Sequence, residues 1–99
     1  MSKDFLKSVQ DYLKLDYEDT VLESIVSAAI EKCEEETGKL FDENRLLYCQ
    51  AVKMLAAEWF DHRGTTTTEQ LKELTAPAHI QGILNQIALS SDYPEVTAE

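Results

Sequence analysis

At 99 residues, with three glycines and two prolines, the chain has the length of one small domain and too few turn formers for a strand-rich fold. Hydrophobic residues make up 43% and charged residues 28%, a globular balance, and no apolar run is long enough to cross a bilayer. Nineteen acidic residues against nine basic ones give a formal net charge of −10, which leaves no reservoir of Lys and Arg for phosphates and disfavours ordinary tight binding of DNA or RNA.

The first predicted helix covers residues 2–13, with Phe5, Leu6, Val9, Tyr12 and Leu13 at helical spacing. An acidic turn, Asp16-Tyr17-Glu18-Asp19, leads into the second. There Thr20 and Glu23 stand at capping-box spacing, and the acidic residues suit the positive end of the helix. Leu22, Ile25, Val26, Ala29 and Cys33 form one apolar stripe flanked by Val21 and Ala28, while Glu23, Ser27, Glu31 and Glu34 take the far side. Gly38 is the expected stop, because glycine takes the left-handed conformation that ends many helices.

Residues 44–63 (NRLLYCQAVKMLAAEWFDHR) form the third predicted helix, with Asp42 or Asn44 near its start and Gly64 after it. Leu47, Ala51, Leu55 and Phe60 face one way, and Tyr48, Val52, Ala56 and Trp59 face an adjoining way. Only Gln50, Lys53, Glu58 and Asp61 make a narrow polar stripe. A helix apolar on almost every side must be covered on almost every side, by its own bundle or by a neighbouring subunit. Residues 64–75 read as a long loop, since Thr65, Thr66, Thr67 and Thr68 are β-branched and suit a helix interior poorly; a short turn is expected at 69–74. Pro77 opens the last helix, where Ile80, Ile83, Leu84 and Ile87 recur at i, i+3, i+4 and i+7. Gly82 within it costs about 1 kcal/mol relative to Ala, and close packing against another helix is the expected compensation.

The expected fold is therefore all-α: a small bundle of about four helices around a long central one, with a long loop before the last. Residues 1–90 make the single domain, and 91–99, lacking periodicity, a flexible tail. Its core is predicted at Leu22, Ile25, Val26, Ala29, Cys33, Val52, Leu55, Ala56, Ile80, Ile83, Leu84 and Ile87.

Chemistry-bearing motifs are missing. The chain has no phosphate loop, no His-Glu-x-x-His and no Gly-x-Ser-x-Gly. Glu58 and His62 stand four apart, but the other imidazole, His79, belongs to a different segment, so they read as a polar helix pair and no metal or cofactor is expected. Glu34, Glu35 and Glu36 point in different directions on a helix and read as a solvated end. Asp16 to Asp19 lacks the offsets of a calcium loop. Cys33 and Cys49 have no C-x-x-C spacing and read as free thiols, which fits synthesis in a cytoplasm. The opening residues lack the apolar centre of a signal peptide. No enzyme is indicated.

Taken in order, the motifs resemble small head–tail connector (adaptor) proteins of tailed bacteriophages. Tyr12-Leu13-Lys14-Leu15-Asp16, Glu18-Asp19, the run from Leu22 through Ala28-Ala29, and Thr37-Gly38 match that family's opening half. Ala51-Val52 through Trp59-Phe60 and Arg63 resembles its central helix, and Pro77 with Ile80, Ile83 and Leu84 its last. The likeness covers roughly residues 5–88; it departs at Ile87-Ala88-Leu89, where basic residues are common in the family, and the tail matches no pattern. The resemblance implies a structural virion protein of the head–tail junction, made in the host cytoplasm. It would form a homo-oligomeric ring of about a dozen copies beneath the portal protein, extend the DNA channel without gripping DNA, and offer a platform to a tail-side stopper or tail-completion protein. Such a ring would cover the surplus apolar surface of the central helix, and like-signed charge would let a duplex slide. Candidate contacts with neighbours or portal are Trp59, Phe60, Arg63, Thr65, Thr66, Thr67, Thr68, Leu71 and Leu74. The alternative reading is a small acidic helical adaptor, or DNA mimic, that binds a cytoplasmic regulatory partner. Acidic residues spread over every segment suit it less well, because a mimic needs carboxylates along one exposed face.

Overall fold

The computed structural model describes residues 2–15, 20–61, 70, 76–90, 93 and 95. Four helices account for most of them: α1 (Lys3–Tyr12), α2 (Thr20–Thr37), α3 (Leu46–Phe60) and α4 (Ala78–Leu89). No strand occurs among the described residues, and the fold is an all-α bundle. The expected acidic turn at 16–19, the loop at 64–75 apart from Gln70, and most of the tail lie outside the described residues.

Local chemistry sets the helix ends. Ser2 caps α1: its hydroxyl accepts the Phe5 amide at 3.0 Å, and both its own amide and its hydroxyl donate to the Glu43 carboxylate. That ties the start of α1 to the α2–α3 connection. Lys14, at φ 59°, ends α1 in the left-handed region, and the Leu15 amide reaches back to the Gln10 carbonyl at 3.0 Å. Gly38, at φ 70°, ends α2 as expected, its amide donating to the Glu34 carbonyl at 2.8 Å.

α3 begins later than its apolar pattern suggests. Asp42 heads a turn in which its carboxylate accepts the Asn44 amide at 2.9 Å and its carbonyl the Arg45 amide at 3.1 Å, so regular helix starts only at Leu46. At the head of α4, Pro77 is the extended residue before the first turn, and its carbonyl accepts from Ile80 and Gln81.

α3 touches both α2 and α4, which also touch each other. Leu22, Ile25, Val26, Ala29 and Cys33 of α2, Val52, Leu55 and Ala56 of α3, and Ile80, Leu84 and Ile87 of α4 are buried in one cluster. Ile83 is half-buried against it, and Phe5 and Val9 bring α1 to the same core. The expectation of close packing at Gly82 is not met. Gly82 faces solvent, and a Cβ there would meet open space, so its helix penalty has no packing compensation.

Candidate interaction surfaces

Most of the apolar surplus of α3 is absorbed within the subunit. Tyr48, Cys49, Ala51, Val52, Leu55, Ala56, Trp59 and Phe60 are all buried. Two residues expected at a subunit contact therefore lie inside: Trp59 is 2% and Phe60 6% exposed. Arg63, Thr65, Thr66, Thr67, Thr68, Leu71 and Leu74, the other expected contacts, lie outside the described residues, as does His62.

Exposed apolar surface is found instead at the opposite end of α3. Leu46, in the first turn, is 86% exposed, and Leu47 beside it is partly so. Leu40, in the connection leading to α3, is also exposed, and Leu89 at the end of α4 reaches 88%. Leu46 heads the row that continues through Gln50, Lys53 and Ala57, so the polar stripe of α3 opens on a leucine.

The outer face of α2 is acidic. Glu23, Ser27, Glu31 and Glu35 follow at four-residue intervals and all are exposed, which places three carboxylates along one ridge. Lys32 is engaged by Glu36 at 3.0 Å.

Between these surfaces lies the α2–α3 connection, and here polar groups are buried with partners. The Thr37 hydroxyl donates to the Cys33 carbonyl at 2.7 Å and accepts the Lys39 amide at 3.1 Å. Tyr48, fully buried, donates its hydroxyl to the Lys39 carbonyl at 2.7 Å. The Phe41 amide donates to the Glu34 carboxylate at 3.0 Å, and the Cys49 thiol to the Glu43 carbonyl at 3.2 Å. An aromatic row crosses the same place: Phe5 to Phe41 at 5.0 Å, Phe41 to Tyr48 at 5.2 Å and Tyr48 to Tyr93 at 5.8 Å between ring centres. The Arg45 guanidinium stands 5.4 Å from the centre of the Tyr93 ring. Lys39 pairs with Glu95 twice, through a single antiparallel backbone bridge and through an Nζ–carboxylate contact of 3.4 Å. Tyr93 and Glu95, which the sequence pattern assigns to an aperiodic tail, thus seat on the α2–α3 connection.

Burial holds the thiols in the neutral form. The Cys33 thiol is pushed up from 9.0 to about 12, first by burial and then by Glu34 and Glu36 nearby. Burial also raises Cys49, with Lys53 pulling the other way, and raises the Tyr48 phenol. A protonated, buried thiol is a poor nucleophile, so Cys33 and Cys49 fill space as small apolar side chains. No group of three or more His, Cys, Asp or Glu positioned to hold a metal occurs among the described residues. No described helix is long and apolar enough to cross a membrane.

Residues 6–87 match the family model described as phage gp6-like head-tail connector protein. The chain belongs to that family. The match runs from within α1 to two residues short of the end of α4, so it takes in nearly all of the bundle. Membership makes the chain a structural connector of a phage particle, in a family whose role is structural and not enzymatic. No curated protein and no solved structure matches it.

The polar knot around Tyr48 has no counterpart in the apolar periodicity. Tyr48 reads as one more apolar position of a buried helix, and its hydroxyl function follows only from the return of the chain at Lys39. The available signal was Thr37 before Gly38, a hydrogen-bonding side chain at a helix end that calls for a partner.

Proposed function

We propose that this connector assembles as a ring of about a dozen identical copies beneath the portal protein, extends the DNA channel, and presents a platform to a tail-side stopper or tail-completion protein. The family match over residues 6–87 carries this reading. The surfaces agree with it. A subunit with side-by-side neighbours needs apolar surface that its own bundle leaves bare, and Leu46 and Leu47 supply it at one end, with Leu89 at another. A conduit needs walls that repel the phosphate backbone, and the Glu23, Glu31 and Glu35 ridge is such a surface. The mechanism is assembly and passage.

Arg63, the threonines at 65–68, Leu71 and Leu74 are assigned in this reading to contact with the portal or neighbouring copies. Trp59 and Phe60 anchor that end internally. Shortening 65–68 should impair assembly while leaving helicity by circular dichroism unchanged; unimpaired assembly would remove the assignment.

The decisive experiment mixes the chain with its cognate portal ring and follows co-migration by sedimentation. A complex larger than the portal alone is expected, and its absence at high micromolar concentration would overturn the proposal. The α2 ridge also answers the one-face requirement of a DNA mimic, so displacement of DNA from a basic partner protein is the matching test of that second reading.

A further inference from the structure

We propose that Ser2 with Phe5 and Tyr93 with Glu95 are two jaws of one clamp on the α2–α3 connection, and that closure of each jaw steadies the other. All four residues lie outside the family match at 6–87, whereas the groups they grip, between Lys39 and Tyr48, lie inside it. The clamp therefore lies beyond what membership of the family assigns.

The first jaw closes through a polar cap and a ring contact. In an ordinary capping box the acceptor for the N-cap amide comes from the same helix, three residues on. That position is Phe5 in α1, and the Glu43 carboxylate supplies the acceptor from the connection instead. It takes the Ser2 amide at 3.1 Å and the Ser2 hydroxyl as well. Phe5 itself meets the Phe41 ring at 5.0 Å between centres. Only Phe5, Val9 and Gln10 of α1 are buried, so this corner is a large part of what seats the helix. The second jaw closes through Tyr93, 5.8 Å from the Tyr48 ring and 5.4 Å from the Arg45 guanidinium. Glu95 completes it, joined to Lys39 by the backbone bridge and the 3.4 Å ion pair.

The jaws meet in Phe41 and Tyr48. Their rings are 5.2 Å apart, so the row Phe5–Phe41–Tyr48–Tyr93 is continuous from one jaw to the other. Both middle residues are tied to the helix ends beside them. The Phe41 amide donates to Glu34 at 3.0 Å, and the Tyr48 hydroxyl to the Lys39 carbonyl at 2.7 Å. Lys39 is thus held by Tyr48 and gripped by Glu95 at once. Closely packed rings do not shift singly. Loosening Tyr93 frees Tyr48 and Lys39, and through them Phe41, the surface against which Phe5 is seated. Arg45 carries a polar link in parallel, since it also reaches the Asp42 carboxylate at 3.8 Å, next to Glu43. Leu40 follows Lys39 and Leu46 follows Arg45, and both are exposed, so the clamp steadies the backbone that presents them. Its bearing on assembly rests on the connector reading above.

Amide hydrogen exchange of the full chain, followed by NMR, tests the coupling. Tyr93→Ala should speed exchange about tenfold at the Lys39 and Phe41 amides and, across the row, about threefold at the Phe5 amide. Ser2→Ala removes the acceptor of the Phe5 amide directly and should speed exchange at Lys39 and Phe41 about threefold. In the chain carrying both changes, the increase at Phe41 should fall short of the product of the two single increases, the signature of coupled sites. Tyr93→Phe keeps the ring and should leave every rate unchanged. The Ile80 amide, bonded to the Pro77 carbonyl at 3.0 Å in the first turn of α4, reports general loosening and should keep its rate throughout. A Phe5 amide unmoved by Tyr93→Ala, or increases that simply multiply, overturns the clamp. So does an equal rise at Ile80, which would mean that the whole fold has loosened. No portal enters the measurement, so either result leaves the connector reading to its own test.

Discussion

The two ends of α3 are built for different tasks. Val52, Leu55, Ala56, Trp59 and Phe60 are buried in a helix that packs on α2 and α4, and even Trp59 is almost wholly covered. At Leu46 and Leu47 the helix is equally apolar, yet the bundle leaves both side chains at the surface. Apolar character alone does not distinguish these ends, because hydrophobic burial is non-directional and any covering surface satisfies it. Position within the bundle decides which end stabilises the subunit and which remains available for a partner.

The comparison breaks most visibly at the buried end. Trp59→Ala should destabilise the subunit by about 3–5 kcal/mol, read from urea unfolding followed by circular dichroism, as expected for truncating a large buried aromatic. A loss below ~1 kcal/mol would mean that this end is not packed within the subunit. Next comes the polar knot between the ends. Tyr48→Phe leaves the Lys39 carbonyl without its 2.7 Å donor and should cost about 1–3 kcal/mol by the same measurement.

The pH dependence sharpens the picture of the buried side. The folded state holds the Cys33 thiol near 12, against 9.0 without the fold, so it favours the protonated form. Its stabilisation is complete below about pH 9 and is lost as pH rises toward 12, because the unfolded chain releases that proton first. Unfolding free energy should fall across this window by up to about 1.4 kcal/mol per pH unit for the group, and Cys33→Ala should flatten the slope. At neutral pH, a thiol reagent should label Cys33 only on unfolding.

Smaller effects are expected on the outside. Gly82→Ala should stabilise by about 1 kcal/mol, since the added methyl meets open space and the glycine penalty disappears. Leu46→Ser should change subunit stability by less than ~0.5 kcal/mol while weakening assembly. A large stability loss there would place Leu46 in the core.

Helical periodicity made the bundle legible. The stripes of α2 and α4 are regular, and the positions they mark, such as Ile25, Ile80 and Leu84, are buried. The ordered set of weak motifs made the connector family legible as well. Interaction surfaces were harder to read, for a physical reason. Trp59-Phe60 and Leu46-Leu47 look alike as apolar pairs on one helix, and only tertiary placement separates covered from bare. The seat for Tyr93 and Glu95 depends on groups more than forty positions apart meeting at Lys39 and Tyr48, and no local period encodes that meeting. The later start of α3 follows from the turn at Asp42, whose carboxylate accepts the Asn44 amide and holds residues 42–45 out of the helix.

Electron microscopy of the cognate portal mixed with the unmodified chain, beside a chain carrying Leu46→Glu and Leu47→Glu, tests the central claim most directly. The account predicts an added ring below the portal with the unmodified chain, and a folded variant that stays off it. A variant that builds the ring as well as the unmodified chain would contradict the assignment of this end of α3 to contact between subunits.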